Sequence, residues 1–410
     1  MSVNPTTNHQ NWIPSITTKS YRISKKQILQ QEVYQQLLSD LQNYQQQIQQ
    51  GVFNSNQLLM IVLGNDLALV KKIIFDAQNL ITNLPTAGCT TAGNILGLQF
   101  VAGPDVVVQL NGVTQSQFHV QSFSFQSYED SYELGRRMSR SFVKDHLQAL
   151  LVFSEGISIN GAKLTHGLRE IAVPVLGVLA GDDFKTVATY VFDQQGVHNK
   201  SVVAIGLYGE HLHVVAESES GLSSFGIERK VTKSDKNILY ELDHRPVLDV
   251  YSEYLGENAA DKMAIHLMYS IEISENFQRK EGLIRTPLLV DPVNKCIVFT
   301  GEIPQGEFVR LLLAQTSGMI DAAAMISDSC QKQLPESIRQ NADYFSLVFS
   351  CASRCMGLGS RIEDELQTGT EDIQLESKQL GLYGYGEIVT RNQVCSLMNQ
   401  TFSKVIIYED

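Results

Sequence analysis

Several groups of residues have the types and spacing for chemistry. Cys89 sits in "PTAGCTTAGNILG", residues 85–97, between glycines and beside Thr90 and Thr91. A thiol nucleophile needs a base, an orienting group and an oxyanion site, and no histidine lies near it in the sequence. The alternative is a buried, inert cysteine. The two threonine hydroxyls either bond a polar ligand or satisfy backbone groups of the turn. Asp182 and Asp183 follow Gly181. Paired carboxylates suit an amine or a cation, and equally a turn cap. Arg354 ends "LVFSCASR", and its fork suits a ligand carboxylate. Glu387, in "GLYGYGEI", suits an ammonium. Arg354 and Glu387 converging on one cleft would hold a zwitterion; the alternative is a salt bridge between them. Tyr383 and Tyr385 are two apart, so on a strand they share a face. They wall a pocket or pack between layers.

His211 and His213 form an HxH on a candidate strand, with no third metal ligand identifiable. Histidines beside a hairpin turn are more often exposed than ligating. The chain lacks a P-loop, a dinucleotide-binding fingerprint and a GxSxG elbow.

These residues depend on the elements that carry them. A strand, a helix and a small-residue segment occur in that order three times. "LLMIVLGND" precedes the helix marked by Leu67, Val70, Ile73 and Ile74 and then the bare stretch around Cys89. "LQALLVFSEG" precedes "NGAKLTHGLREI" and "VPVLGVLAGDD"; "YFSLVFSCAS" precedes "SRIEDELQ" and "LGLYGYGEI". Glycines let a backbone approach a ligand closely, and the three segments, Gly88 included, would form the bare rim of a shared pocket. The competing reading is close packing of sheet and helix.

Around these units the pattern predicts a loose N-terminal tail over 1–26 and an amphipathic helix over 27–51. Asn111-Gly112 marks a β-hairpin. The polar stretch 218–236 marks a boundary between an N-terminal α/β domain, 52–220, and a C-terminal one, 221–410. In "ELDHRPVLDVYSEYLG" Pro246 opens a helix with Val247, Leu248 and Tyr251 on its inner face, capped by Asp243 or His244. The expected class is mixed α/β: two related halves of mixed sheets with flanking helices, an open sheet and a layered α-β-β-α sandwich both fitting.

The chain has 410 residues, 43% hydrophobic and 19% charged, as in a globular protein. Its net charge of −12 argues against nucleic acid and anionic membrane surfaces as partners. No run approaches the about 20 apolar residues of a membrane helix, and no apolar stretch follows the basic N-terminus, so a cytoplasmic protein is expected. Six cysteines in this length do not form a disulfide framework.

Seven motifs, in order, resemble the FIST family. "GCTTAGNI", "LLVFSEGIS" and "GVLAGDD" are similar to its N-terminal domain. "NILYELDHRPVLDVYSEYLG", "LVFSCASR", "GLYGYGEI" and "NQT" are similar to its C-terminal domain. The resemblance covers residues 55–410 and adds Asn399 to the ligand-binding candidates. Asn94 and Met398 depart from the family's pattern. The resemblance implies an intracellular sensory module for a small polar ligand, an amino acid or related metabolite, bound between two halves. With no output domain within this length, signalling would pass through a separate protein such as a kinase or a cyclic-dinucleotide enzyme. Some relatives are described as haem-based nitric oxide sensors, which offers a second reading. His119, His166, His244 and His266 are its candidate axial ligands. A third is an enzyme using Cys89 or the aspartate pair; with no triad identifiable, catalysis is not expected.

Overall fold

Strand Leu58–Leu63 is apolar at every position because both of its faces are buried. Leu59, Ile61 and Leu63 join a central core, while Leu58, Met60 and Val62 pack under two helices on the other side. The same alternation puts Ala149, Leu151 and Phe153 in the central core and Leu150 and Val152 under a different helix pair. Each large apolar side chain so buried contributes about 1.5–3 kcal/mol. The computed structural model describes residues 15–24, 29–142, 145–256, 268–274, 282–368 and 378–410.

Among the described residues the strands form four sheets. Three have six strands and one common plan. At the centre of each lies a parallel pair: Leu58–Leu63 with Thr86–Cys89, Leu147–Ser154 with Val175–Leu179, and Tyr344–Cys351 with Gln379–Gly384. Two antiparallel strands flank each pair on one side: Val106–Val113 and Ile16–Ile23, Ser201–Tyr208 and Gln117–Ser124, Phe402–Glu409 and Leu212–Glu219. A hairpin borrowed from another repeat completes the far side. The hairpin of the first repeat, Gly93–Leu96 with Gln99–Val101, extends the third sheet. That of the second, Val191–Asp193 with Gly196–His198, extends the first. That of the third, Gly386–Arg391 with Val394–Met398, extends the second. The exchange is cyclic, and the inner faces of the three sheets share one core.

Helices cover the outer faces. Leu29–Gln49 and Leu67–Leu80 lie on the first sheet, Ser131–Ser141 and Gly161–Leu168 on the second, and Thr316–Gln333 on the third. Asp66 and Asn160 cap their helices by accepting from Leu69 N and Lys163 N. An eight-stranded sheet, built from Ser223–Asp235 through Phe308–Leu313, is inserted in the third repeat after strand Leu212–Glu219. Its own core packs on helix Val247–Leu255.

The mixed α/β class holds, with three repeats wrapped around one core in place of two stacked halves. Four local expectations differ. Residues 16–23 are a strand, because it is the first strand of the first repeat; Ile16 and Tyr21 are buried, and Asp343 anchors Ser15 and Ile16 through their amides. Trp12 lies outside the described residues. Asn111-Gly112 falls inside strand Val106–Val113, between Leu58–Leu63 and Ile16–Ile23. A Cβ at Gly112 would come 2.6 Å from Thr17 Oγ1, so close packing explains the glycine. The stretch 218–236 is largely the half-exposed strand Ser223–Asp235, whose polar residues face water. Pro246 itself occupies the N-cap of helix Val247–Leu255, with no side-chain cap.

Candidate functional site

The three glycine-bearing segments meet around the inner core. Ala92 N donates to Tyr383 O, Gly181 N to Thr90 O and Tyr385 N to Leu179 O, so each repeat bonds the next in a ring. Gly88, Gly177 and Gly381 stand at one equivalent place, opposite Val62, Val152 and Val348 in the parallel pairs. A Cβ there would lie 1.7, 2.0 and 2.5 Å from the facing valine carbonyl oxygen. Their glycines serve contact between backbones and leave no open rim.

Cys89 is fully buried in this core, and desolvation alone pushes its thiol far above the ordinary range. Among the described residues no charged or hydrogen-bonding group acts on it to favour a thiolate. Thr90 exchanges hydrogen bonds with the Tyr190 backbone. Thr91 donates through its hydroxyl to Asn94 Oδ1, and the Asn65 amide clamps its backbone from both sides. Asn65 was not singled out from the sequence; only its place just after a strand hinted at a role. Asp182 accepts from the amides of Thr186, Val187 and Ala188 and from Tyr385 Oη. Burial raises its pKa, but the bonds from Tyr385 and the three amides outweigh that and hold it below the usual carboxylate range. It organises the loop 182–189. Asp183 points to solvent beside Lys185, 3.4 Å away. The two aspartates do not form a pair at one site.

Arg354 is fully buried and uses all five guanidinium N–H groups. Nε and Nη2 donate to Glu365 Oε1 at 2.8 and 2.6 Å; Nη1 donates to the carbonyls of Ser220 and Gln400, and Nη2 to that of Met319. Tyr383 Oη donates to the other Glu365 oxygen at 2.8 Å. The Arg354 fork is therefore spent on a structural clip, and its carboxylate partner is Glu365 in place of Glu387. Glu365 reads in the sequence as one more charge on a solvated helix, so nothing local signalled it.

Glu387 and Asn399 belong to a different arrangement. Glu387 is fully buried on the hairpin strand Gly386–Arg391. Its Oε2 accepts from Thr401 N and Oγ1 at 3.2 and 2.7 Å, and its Oε1 has no partner. Burial pushes the carboxyl up to about 8, against the bonds from Thr401, the positive charge of Arg354 and the neighbouring Cys351 thiol. Asn399 Oδ1 accepts from Thr300 Oγ1 at 2.6 Å, while its Nδ2 is buried without a partner. Arg285, on the inserted sheet, reaches across to the Leu397 carbonyl at 3.2 Å, and its Nε also lacks a partner. Burial lowers the Arg285 pKa to about 10, against the opposing pull of the Glu302 charge. Glu302 in turn accepts from Asn160 Nδ2 at 3.4 Å. An acid oxygen, an amide N–H and a guanidinium N–H are thus left unpaired along one seam, where the insert meets the second and third repeats. A buried polar atom without a partner costs about 1–3 kcal/mol, so a ligand or water that pairs it is favoured. Arg285 was missed in the sequence; its signal was a lone cation in the apolar run "GLIRTPLLV".

His211 and His213 both face Asp410, at 3.5 and 2.9 Å. Among the described residues no group of three His, Cys, Asp or Glu is placed to hold a metal ion. His166 packs against the Tyr132 ring and His244 lies in an exposed turn. His266 lies outside the described residues. His119 lines a cavity of about 690 Å³. Five of its twelve lining residues are amides, and among the described residues no Lys or Arg stands there to meet haem propionates, so the residues do not fit a haem.

Two family models match successive parts of the chain: the FIST N domain over residues 58–245 and the FIST C domain over 248–390. The chain belongs to the FIST family. FIST domains are sensory domains of signal-transduction proteins. An uncharacterised protein of Methanocaldococcus jannaschii is 20% identical over 358 residues, which span 78% of this FIST protein and 67% of that one. Likeness to solved structures is distant. A cyanuric acid hydrolase covers 97% of this chain and 100% of its own at 10% identity and a TM-score of 0.32. T. maritima PurL complexed with ATP covers 96% and 71% at 9% identity and a TM-score of 0.18. Among the described residues no helix is long and apolar enough to cross a membrane.

Proposed function

We propose that this FIST protein is the ligand-sensing component of a signalling system. Its ligand is a small polar metabolite, an amino acid or a close relative, held at the seam between the inserted sheet and the third repeat. The observation that carries this reading is the set of unpaired buried groups there: Arg285 Nε, Asn399 Nδ2 and Glu387 Oε1. A ligand carboxylate would take the guanidinium and amide N–H groups, and its amine would meet Glu387. The three groups are buried, so the ligand enters by moving the insert relative to the third repeat. That movement couples binding to shape, and a separate signalling protein would read it, provided the ligand favours one arrangement over the other. In this reading the Cys89 thiol is not a nucleophile, since it is sealed in the core and burial holds it protonated.

The test is a thermal-shift screen of the twenty amino acids and of small mono- and dicarboxylates, followed by calorimetry on any hit. A ligand at about 100 times its Kd should stabilise the protein by about 2.7 kcal/mol. Arg285→Met should weaken that ligand at least tenfold. No stabilisation by any compound at about 10 mM would remove the reading.

A further inference from the structure

The 690 Å³ cavity shares no residue with the seam and calls for a different ligand. It opens where the first repeat meets the second, closed on one side by the borrowed hairpin Val191–Asp193/Gly196–His198. Five amide side chains stand in its wall: Asn54, Asn56, Asn83, Gln117 and Gln194. Asn56 Nδ2 donates to Gln117 Oε1 at 2.9 Å, which fixes both side chains. Gln194 Oε1 is buried without a partner, an acceptor held ready for a donor. The ring of Phe53, set edge-on to Tyr44, supplies an apolar face. Among the described residues no Lys, Arg, Asp or Glu lines the space. A second cavity of about 260 Å³ shares Asn56, Gln117, Phe118 and His119 and continues past Gln121 to Tyr208. Together they make one elongated groove along the edge strand Gln117–Ser124.

From this we infer a second binding site, specific for a neutral saccharide of two or more rings. An amide both donates and accepts, as a sugar hydroxyl does, so a wall of amides pairs hydroxyls whichever way they point. Among the described residues the wall offers a charged ligand no fixed counter-charge, which favours neutral sugars over phosphorylated and acidic ones. The Phe53 ring suits the apolar C–H face of a pyranose. The other phenyl ring in the wall, Phe118, is buried and packed on Phe345, which leaves Phe53 as the phenyl face open to a ligand. The volume is that of a small-molecule site, and its length continues into the second cavity.

The probes are glucose, N-acetylglucosamine, maltose, cellobiose, lactose and trehalose, with glucuronate, glucose 6-phosphate and uridine as contrasts, read by calorimetry on the full chain. At least one disaccharide should bind with a Kd below about 1 mM and at least tenfold more tightly than its monosaccharide. Glucuronate and glucose 6-phosphate should bind at least tenfold more weakly than the best neutral sugar. Gln194→Ala should weaken the best disaccharide about fivefold or more, and Gln194→Met should do the same while filling the space. Both should leave the seam ligand's affinity unchanged, which separates this site from the seam. The inference is overturned if no neutral sugar binds at about 50 mM, if a charged sugar or uridine binds best, or if both Gln194 variants bind sugar as the parent does.

Discussion

Arg354 offers the sharpest quantitative test, because two readings of it predict opposite results. As a ligand receptor, its removal would abolish binding and spare stability. As a clip, its removal strands Glu365, whose side chain is fully buried. Taking one partner from a buried pair costs about 3–5 kcal/mol, because the other charge is left without compensation. The carbonyls of Ser220, Gln400 and Met319 lose donors as well, at about 1 kcal/mol each. Arg354→Met should therefore cost about 6–8 kcal/mol, close to the whole stability of an ordinary domain. Arg354→Lys keeps the charge but has three donors where five are used, and should cost about 2–3 kcal/mol. Adding Glu365→Leu to Arg354→Met removes the stranded acid, and the double variant should be more stable than Arg354→Met alone. Urea unfolding followed by circular dichroism reads all three. Arg354→Met within about 1 kcal/mol of the parent, or a double variant less stable than the single, would refute the argument.

Three further outcomes follow from buried groups. Glu387 has its carboxyl raised by burial to about 8, so its contribution to stability is full below the unfolded value near 4.5 and is lost as pH rises through 8. Glu387→Gln, which mimics the protonated acid, should gain on the parent from about pH 5 to 8 in pH-dependent urea melts; parallel curves would contradict this. Lys404 is buried on strand Phe402–Glu409 near Ser327 and Cys330, and burial lowers its pKa to about 8. Below pH 8 the ammonium weakens the fold, and the parent gains stability between about pH 8 and 10.5. Lys404→Met should thus be more stable at pH 7 by up to about 3 kcal/mol, with the advantage shrinking toward pH 10.5 in thermal melts. Gly88→Ala, Gly177→Ala and Gly381→Ala should each abolish soluble expression or cost more than about 3 kcal/mol, since each Cβ would strike a valine carbonyl of the paired strand. A silent substitution at any of the three would undo the equivalence of the repeats.

Local patterns were legible in the amino-acid sequence. Apolar runs such as "LLMIVL" and "LQALLVF" mark strands buried on two faces, and three glycine motifs at matching places mark a repeat. Asp66 and the spacing of Val70, Ile73 and Ala77 mark a helix and its start, since these depend on neighbours a few residues away. Long-range pairing was decided by the tertiary structure. Asn111-Gly112 has the chemistry of a hairpin, yet strands on both sides compete for its backbone and hold it extended. Residues 16–23 look like a tail until the distant strand Val106–Val113 gives them a partner. The site divided in the same way. Glu387 was legible as an acid in a glycine-rich segment, and Arg354 as a fork at a strand end. Which cation served the fold and which was left near the seam depended on Glu365, Leu397 and Thr300, contributed by separate elements. Hydrogen-bond satisfaction is a property of neighbours in space, so only the folded chain shows that Arg354 is spent while Arg285, Glu387 and Asn399 each keep a buried atom unpaired.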